Sequence, residues 1–353
     1  MSSFPEAGKV QQDFFSEVIF PQCGKARPEV LIGSQYGVDV SVVQLPGGMA
    51  MAMTSDPLTL IPSLGLRESA WLSVQILAND MVTTGFVPMY AQFVLNLPTT
   101  ISAKDFNEYW GYIHQYCEEI GIAITGGHTG QVVGQNSTVA GGGTMITIAP
   151  EADILTSTKA QPGDVIIVTK ECALTASSIL AMSFPETVKA KAGNEVYQKG
   201  CEAFYRTSSL KDGLVAALAS EQCKEVTAMH DVTEGGVLGA IYEMAAASGC
   251  GVVIENDSLP VGDAQASICN IFDIDVRYVV GAGSMILAAK KETKDNVLKR
   301  LHDNNIPATV VGYFTEKGSE KISIEDDKKK QLIHPGIDAY WNAFYNAFSK
   351  GWK

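Results

Sequence analysis

The alternation of apolar and polar positions in the first half of the chain predicts several β-strands. Residues 40–43 and 49–54 have strand patterns on either side of the Pro46-Gly47-Gly48 turn, which joins them. Residues 89–97 have a similar pattern, and 122–125 form a short strand-like run that leads into a glycine-rich stretch. The first half is therefore predicted to contain a sheet.

Two longer periodic stretches of the first half predict helices. In residues 68–85 the apolar positions cover most of a helical surface, which indicates a deeply buried helix. Ser102, with Asp105 three residues later, resembles a capping box that begins a helix running to about Ile120. Gly121 fits the end of that helix, because glycine readily takes the left-handed conformation found there.

The second half of the chain repeats this mixture. Residues 237–247 form an amphipathic helical pattern, and the tail 337–348 is aromatic-rich and predicts a packed helix. Further helices are predicted over 173–182, 196–220 and 291–304, and strands over 165–169, 252–254, 284–289 and 308–313. Strands and helices alternate, but hairpin signals also occur, so the pattern predicts mixed sheets and the α+β class.

Residues 150–164 mark the predicted boundary between two domains. They have little apolar periodicity and contain a Pro162-Gly163-Asp164 turn. The chain has 353 residues, and each half is long enough to bury a core of its own. We therefore predict an N-terminal domain over 1–155 and a C-terminal domain over 160–353.

Acidic residues outnumber basic ones in the chain. There are 39 Asp and Glu residues and 26 Lys and Arg residues, which gives a formal net charge of −13. Such a chain lacks the basic surface with which proteins bind nucleic acid, and an anionic membrane would repel it. We expect neither as a partner, although nucleotides can still bind where backbone amides or a metal cation assist.

The first residues show neither the basic nor the apolar region of a signal peptide. The longest mostly apolar stretch, 278–289, is too short to span a bilayer. The seven cysteines lie far apart and form no Cys-x-x-Cys pair. Together these features predict reduced thiols in a cytoplasmic protein.

The main chemical signal is a set of isolated carboxylates, since the sequence contains no phosphate-binding loop and no serine-hydrolase motif. Asp39 and Asp56 follow predicted turns or strands, and Asp80 follows Asn79 in the predicted buried helix. A buried carboxylate is costly unless a cation or hydrogen-bond donors compensate it, and Mg²⁺ is the natural cation for carboxylate and phosphate oxygens. This favours a metal or ligand site at Asp80, whereas Asp56 fits a turn equally well and Asp39 fits a loop cap.

Two glycine-rich segments have both a functional and a structural interpretation. Residues 126–130, Gly-Gly-His-Thr-Gly, follow a strand, so their backbone amides could form an anion-binding nest. His128 within them fits a phosphate donor, a general acid or an ordinary loop residue. Residues 231–236, Asp-Val-Thr-Glu-Gly-Gly, precede a predicted helix, where Thr233 or Glu234 can cap a terminus that also attracts anions.

Taken together and in order, these segments resemble the PurM/HypE superfamily, most closely its HypE-like, AIR synthase-related branch. That superfamily includes aminoimidazole ribonucleotide synthetase, HypE, selenophosphate synthetase and thiamine-phosphate kinase. The resemblance spans about residues 8–315. It rests on Gly37-Val38-Asp39-Val40, Thr54-Ser55-Asp56-Pro57, Asn79-Asp80-Met81, Gly126-Gly127-His128-Thr129, Pro162-Gly163-Asp164 and Asp231-Val232-Thr233-Glu234-Gly235-Gly236.

The resemblance implies a two-domain PurM-like fold in which the N-terminal domains pair into a homodimer and bind ATP near the interface. It also implies Mg²⁺-ATP chemistry that phosphorylates an amide or carbonyl oxygen of a small substrate. The implied metal ligands are Asp39, Asp56 and Asp80. The implied catalytic residues are Asp80, His128 and Asp231, and the implied nucleotide-binding residues are Asp39, Asp56, Asn79, Asp80, Gly126 and Gly127.

The sequence departs from the family pattern at several positions. Val38 stands where many relatives have an acidic residue, and His128 stands where the kinase and HypE members have an aspartate that can bind Mg²⁺. Residues 170–173 replace a glycine-rich loop, which leaves that loop's substrate contact open. No cysteine follows Cys269, so the chemistry that HypE performs on a C-terminal cysteine is not expected. The glycine-rich N-terminus of selenophosphate synthetase, with its reactive residue, is also missing.

Three functions remain compatible with these motifs. The first is an Mg²⁺-dependent enzyme that uses ATP to activate an amide or carbonyl compound. The second is a kinase of a small alcohol or phosphate ester, like thiamine-phosphate kinase. The third is a nucleotide-binding dimer that serves as a maturation or scaffold partner without turnover.

Overall fold

A computed structural model describes residues 8–217 and 225–353, and the strands of the first half form one six-stranded sheet. These strands are β1 (Val30–Ile32), β2 (Ser41–Leu45), β3 (Met49–Thr59), β4 (Tyr90–Pro98), β5 (Ala123–Val132) and β6 (Val139–Pro150). Their order in the sheet is β1-β2-β3-β6-β4-β5. The helices of this half are α1 (Gln12–Phe14), α2 (Leu66–Val82) and α3 (Ala103–Ile120).

The strands of the second half form a separate seven-stranded sheet. They are β7 (Val165–Thr169), β8 (Val226–Asp231), β9 (Cys250–Glu255), β10 (Met285–Ala289), β11 (Ala308–Lys317), β12 (Lys321–Glu325) and β13 (Lys328–Gln331), in the order β13-β12-β9-β11-β7-β10-β8. The helices are α4 (Leu174–Ser183), α5 (Pro185–Ala192), α6 (Asn194–Glu202), α7 (Leu210–Ala217), α8 (Gly236–Ser248), α9 (Asp263–Ile271), α10 (Lys294–Asp303) and α11 (Ala339–Ser349).

Both sheets are mixed, which confirms the predicted α+β class. β4 pairs with β5 in parallel and β9 pairs with β12 in parallel, while the other strand pairs of the described residues are antiparallel. Helices α2 and α3 pack on one face of the first sheet and bury its core with residues such as Phe93 and Leu95 of β4. On the opposite face of that sheet alternate residues of β4 are exposed, so no helix of the described residues covers them there.

The predicted helices of the first half are confirmed with small shifts at their ends. Most residues of α2 from Ser69 onward are buried, as its nearly continuous apolar surface predicts. The capping box at the start of α3 is present, since Ser102 Oγ accepts from the amide of Asp105 and the Asp105 carboxylate accepts from the amide of Ser102. Gly121 ends α3 in the left-handed conformation, with φ 90°.

Two segments that were predicted to follow strands lie inside strands. β3 continues through Asp56 and Pro57, which pair with Gly143 and Gly142 of β6. Pro57 lies beyond positions 49–53, where β3 pairs with β2, so its missing amide leaves no carbonyl of β2 without a donor. The stretch 126–130 lies within the edge strand β5, alongside residues 92–96 of β4, and not in a loop, so anion binding by its amides stays a prediction.

One long predicted helix is divided. Within 196–220 the chain forms the end of α6, a turn of 3-10 helix over Ala203–Arg206, and then α7, whose predicted continuation to Ser220 lies outside the described residues. The break falls at 207–209, where the backbone is hydrogen-bonded to a side chain of α2. A tertiary contact therefore overrides the local helical pattern.

No helix in the described part of the chain combines the length and the apolarity needed to cross a bilayer. Six cysteines are present as free thiols within 8–217 and 225–353, and Cys223 lies outside those ranges.

Candidate functional site

The three predicted metal ligands line one cavity. Asp39 precedes β2, Asp56 lies on β3, and Asp80 lies near the end of α2, and all three border a cavity of about 630 Å³. We call this space the acidic cavity, because Glu234 and Glu243 line it as well. Five carboxylates from separate parts of the chain thus line the acidic cavity.

Strand periodicity and a hydrogen bond position two of these carboxylates. Thr54 and Asp56 are two residues apart on β3, so their side chains point to the same face of the sheet. Thr54 Oγ1 donates to Asp80 Oδ2 at 2.6 Å, and this contact fixes the carboxylate of the neighbouring helix. The short, charge-assisted bond holds Asp80 at the cavity wall.

His230 joins the two halves of the molecule at Asp39. The histidine lies on β8 of the second sheet, and its Nδ1 is 2.8 Å and 2.9 Å from the two carboxylate oxygens of Asp39. Its Nε2 lies 3.2 Å from Oε2 of Glu243 on α8. Burial lowers the pKa of His230, but the charges and hydrogen bonds of Asp39 and Glu243 outweigh burial and raise it, so the imidazole is held in its charged form.

Asp231 is the next residue and the most deeply buried acid of this group. It is 1% exposed, and its Oδ2 has no hydrogen-bond partner. Burial and the charge of Asp39 raise the pKa of Asp231 to about 8, against the opposing effect of His230 and Lys9. A buried, unpaired carboxylate oxygen is rare, and it indicates a missing cation or donor at this place.

Lys9 closes the cavity from the N-terminal segment. Its ammonium group donates to Thr233 Oγ1 at 2.8 Å, and its backbone amide donates to Glu234 Oε2 at 2.9 Å. Burial lowers the pKa of Lys9, but the negative charges of Glu243, Asp56, Asp231 and Asp80 raise it overall. Lys9 therefore supplies positive charge to the acidic cavity.

The carboxylates exceed the cations that face them. Burial raises the pKa of Asp56 to about 6, with Lys9 opposing and Glu234 and Asp39 adding to the shift. Burial also raises the pKa of Asp80 well above its usual range, and the charge of Asp231 adds to this effect. The pKa of the nearby His334 is lowered, first by burial, so this ring does not offset the negative charge. The cavity is therefore suited to a positively charged ligand.

The donor set of the acidic cavity fits Mg²⁺. Its free ligand atoms are carboxylate oxygens, which hard cations prefer. Among the described residues, only Asp39, His230 and Asp231 bring three possible ligand atoms within 4.8 Å of one another. The predicted trio Asp39, Asp56 and Asp80 is more widely spaced. This spacing suits a cation that binds one or two carboxylates and completes its shell with phosphate oxygens and water.

The structure does not bring Asn79 to this cavity. Its amide nitrogen donates to the carbonyl of Thr207 at 2.9 Å, and its oxygen accepts from the amide of Ser209 at 2.7 Å. Both ends of the side chain are thus bound to backbone of the second half. A nucleotide contact at Asn79 stays a prediction from the resemblance alone.

Gly126, Gly127 and His128 are also apart from the acidic cavity. They lie exposed on the edge strand β5 and line no part of that cavity. At Gly127, where φ is +142°, a Cβ would lie 1.8 Å from the carbonyl oxygen of Phe93, so strand pairing itself requires glycine. Gly126 faces open space, with nothing within 4 Å of a Cβ at that position. The roles of these three residues toward a nucleotide stay predictions.

The segment 231–236 contributes in a different way from the one predicted. Neither Thr233 nor Glu234 caps α8, whose N-cap position is Gly235 without a side-chain cap. Thr233 instead accepts from Lys9, and Glu234 accepts from Lys9 and, through Oε1, from Trp341 Nε1 at 3.1 Å. Glu234 therefore connects the N-terminal segment with α11.

The loop at 170–173 makes structural contacts with the protein interior through Lys170. The ammonium of Lys170 forms an ion pair with Asp212 at 3.0 Å and donates to the carbonyls of Ser208 and Gly283. Lys170 and Ala173 both have φ 56°, a left-handed conformation that glycine adopts more readily. The buried contacts of Lys170 account for a lysine at this position.

Sequence reasoning missed Lys9, His230, Glu243 and His334. Glu243 is the only charged residue of α8, which is otherwise apolar and buried, so the argument that selected Asp80 applies equally to it. His230 directly precedes Asp231 in sequence and is 2% exposed. Lys9 and His334 left no comparable signal, because they reach the cavity from segments near the two ends of the chain.

The sequence matches two domain families in succession. Residues 37–149 match the family described as AIR synthase related protein, N-terminal domain. Residues 161–325 match AIR synthase related protein, C-terminal domain. The two matches cover most of the chain, and they include all of the predicted site residues.

Relatives with similar lengths have related descriptions. A putative hydrogenase expression/formation protein of Methanocaldococcus jannaschii is 24% identical over 322 residues, covering 88% of this chain and 89% of the relative. The selenide, water dikinase of Methanococcus maripaludis is 28% identical over 297 residues, covering 80% and 85%. The carbamoyl dehydratase HypE of Rhizobium leguminosarum bv. viciae is 25% identical over 278 residues, covering 77% and 75%.

Solved structures share the fold. The hydrogenase maturation protein HypE in complex with ATP superimposes with a TM-score of 0.65 at 17% identity, covering 93% of this chain and 96% of that chain. AaThiL complexed with AMPPCP and TMP superimposes with a TM-score of 0.66 at 16% identity, covering 84% and 90%. With both domain families matched in order and this two-domain fold, the chain belongs to the AIR synthase related family of the PurM/HypE superfamily.

Proposed function

We propose that this protein is an Mg²⁺-dependent, ATP-utilising enzyme that transfers a phosphoryl group to an amide or carbonyl oxygen of a small molecule. The observation that carries the proposal is the acidic cavity, where five carboxylates meet with few opposing cations. A neighbour of the same fold is known in complex with ATP. Phosphoryl transfer is catalysed mainly by positioning and by neutralisation of phosphate charge, which such a site can provide.

Asp39, Asp56 and Asp80 are the residues proposed to hold Mg²⁺. When bound, the ion would neutralise the charge of the phosphates and orient the transferred group. Two contacts hold these carboxylates in place without the ion. His230 forms an ion pair with Asp39, and the Thr54 hydroxyl donates to Asp80. Preorganised ligands lose little conformational freedom on binding, which favours affinity.

Asp231 is proposed as the proton-transfer residue. Its pKa of about 8 lies near neutral pH, where a group can both accept and release a proton. It lies at the end of β8, directly after His230, which lines the acidic cavity. His128 remains a second proposed catalytic residue.

The uncovered face of the first sheet offers a surface through which two copies could pair. On the uncovered face of the first sheet, Tyr90 and Val94 of β4 and Ile148 of β6 are 37%, 44% and 38% exposed. His128 of β5 pairs with Val94 in register, so it lies on the same face. We propose that two copies pair through this face, which would bring His128 and the adjacent glycines to an interface rather than to solvent.

Nucleotide titration of matched variants tests the proposal. AMPPCP is titrated calorimetrically into the wild type, Asp80→Asn and Asp257→Asn, with Mg²⁺ or with EDTA. Asp257 is an exposed aspartate that does not line the acidic cavity, so it controls for loss of a charge. We expect Mg²⁺-dependent binding in the wild type and in Asp257→Asn, and binding weaker by roughly tenfold or more in Asp80→Asn, whose shape is unchanged.

Equal affinity in Asp80→Asn, or equal binding in EDTA, would contradict the proposal. Product analysis then separates the alternatives. Release of inorganic phosphate with a changed acceptor supports activation of an amide or carbonyl oxygen. A stable phosphorylated acceptor identifies a kinase, and binding without any turnover identifies a scaffold protein.

A further inference from the structure

A second cavity adjoins the acidic cavity. It has a volume of about 580 Å³, within the range of small-molecule sites. Lys9, Asp56 and Glu234 line both spaces, so the two cavities meet at these residues. We call the second space the apolar cavity, because its walls are mainly aliphatic and aromatic.

Helix α2 runs along both cavities. Leu72 and Ile76 line the apolar cavity, while Asp80, one helical turn after Ile76, lines the acidic cavity. Side chains four residues apart on a helix are neighbours, about 5–6 Å apart at Cβ. A compound packed against Ile76 would therefore lie within reach of a phosphate held at Asp56 and Asp80.

The opposite wall is formed by a helix that lies outside the matched family regions. Trp341, Phe344 and Tyr345 of α11 line the apolar cavity, and α11 follows the end of the C-terminal family match at residue 325.

Two sets of contacts fix that wall in place. Asp338, which is fully buried, accepts from the amides of Gly235 and Tyr340 and caps α11. Trp341 donates to Glu234 and stacks on Tyr345 with ring centroids 6.4 Å apart. The aromatic wall is thus held before any ligand binds, which lowers the entropic cost of binding.

The charged residues around the apolar cavity limit the charge that its ligand can carry. Its lining includes two carboxylates, Asp56 and Glu234, and one cation, Lys9, whose ammonium is already bonded to Thr233. No arginine or histidine is among the lining residues of the described chain. A phosphate or carboxylate group on the ligand would meet like charge, whereas an uncharged ring would fit the walls.

We propose that the apolar cavity is the acceptor site and that it takes an uncharged carboxamide carried on an aromatic or aliphatic ring. The ring packs between α2 and α11, and the amide oxygen faces the acidic cavity, where the phosphates would be held. This inference rests on the proposed function and names the class of its substrate.

Binding of a matched pair of probes tests the inference. Phenylacetamide and phenylacetate differ only in the charge of the polar end, and their binding is measured by saturation-transfer difference NMR and by tryptophan fluorescence. We expect phenylacetamide to bind at least tenfold more tightly than phenylacetate. The Trp341→Phe variant should bind phenylacetamide but lose most of the fluorescence change, because Trp341 forms the wall.

Two cavity-filling variants locate the binding. Val280→Phe and Ile76→Phe each enlarge a half-buried wall residue, so one remains informative if the other does not fold. Val261→Phe makes the same change at an exposed valine outside both cavities. We expect a tenfold or greater loss of phenylacetamide binding in the first two variants and none in the third.

Equal binding of phenylacetate, or unchanged binding in the folded cavity-filling variants, would overturn the inference. AMPPCP binding with Mg²⁺ is measured in the same samples. If the nucleotide binds and phenylacetamide does not, the acceptor assignment alone fails. If phenylacetamide binds as expected and the nucleotide does not, the apolar cavity stands as an amide-binding site and the proposed ATP-dependent function fails.

Discussion

At the scale of single residues, the free-energy cost of burying a carboxylate explains which groups lie beside the acids of the site. Glu243 and Asp80 are carboxylates on buried helices, and each is retained beside a compensating group: His230 for Glu243 and the Thr54 hydroxyl for Asp80. The hydroxyl is a weaker compensation than a charge, and Asp80 accordingly has a raised pKa while the pKa of Glu243 is lowered. Asp80 therefore gains more than Glu243 from an added cation.

The raised pKa values predict that the metal-free protein loses stability as pH rises. Asp56 and Asp231, with pKa values of about 6 and 8, bind protons more tightly when folded than an unfolded aspartate with a pKa of about 3.9. The folded state then carries more protons, so the free energy of unfolding falls with increasing pH from about 4 to 8. His230, with its raised pKa, acts in the same direction above its unfolded value.

Urea unfolding in EDTA at pH 5, 6, 7 and 8 measures this dependence. We expect a steady decrease in stability, and a smaller decrease when Mg²⁺ and AMPPCP are present, because the ion replaces the bound protons. A stability that rises over this range without metal would contradict the assigned protonation of these carboxylates.

Sequence analysis found the site residues whose burial could be inferred from the local hydrophobic pattern. Asp80 was singled out because it lies in an apolar helical pattern, and it lines the acidic cavity with Asp39 and Asp56. Lys9 could not be found in this way, since its position depends on how the N-terminal segment crosses the second half. For the same reason, the sequence could not show that the amide of Asn79 turns away from the cavity.

At the scale of elements, local patterns predicted well where a segment's own chemistry decides its structure. The capping box and Gly121 fixed both ends of α3. Predictions from local patterns were wrong where contacts with a neighbouring strand or helix determine the conformation of the segment. β5 runs through Gly126 and Gly127 because β4 pairs beside it, and the helix predicted over 196–220 is broken where α2 binds its backbone.

Asn79 connects α2 with the segment before α7, and its removal tests that connection. In Asn79→Ala the carbonyl of Thr207 and the amide of Ser209 lose their partner in a buried place. We expect a loss of about 2 kcal/mol or more in the free energy of unfolding. We expect little change in AMPPCP affinity, because Asn79 does not line the acidic cavity.

Urea unfolding and calorimetry of the same samples check both expectations, with the exposed Asn270→Ala of α9 as control. Unchanged stability together with a tenfold loss of nucleotide affinity would instead support the nucleotide contact that the family resemblance implies.

At the scale of the whole molecule, the site lies where the two halves meet. The first half supplies Asp39, Asp56 and Asp80, and the second half supplies His230 and Glu243. The Asp39–His230 ion pair links the two halves directly beside the cavity. Ligand binding and the relative position of the halves are therefore expected to be coupled.

The uncovered face of the first sheet predicts self-association. We expect the wild type to sediment with about twice the chain mass of 37.7 kDa. Val94→Arg places a charge in the centre of the exposed apolar face and should shift the protein toward monomer, whereas Val261→Arg, at an exposed valine of the other half, should not. Analytical ultracentrifugation distinguishes these outcomes, and a dimer that persists in Val94→Arg would exclude this face as the interface.

The central claim is that the carboxylates of the acidic cavity bind a divalent ion that holds the phosphates of ATP. A crystal structure with AMPPCP and Mn²⁺ tests it most directly, since the anomalous signal of Mn²⁺ locates the ion. We predict an anomalous peak within about 2.6 Å of a carboxylate oxygen of Asp56 or Asp80 and of a phosphate oxygen. A nucleotide bound elsewhere, or bound here with no ion at these carboxylates, would contradict the account.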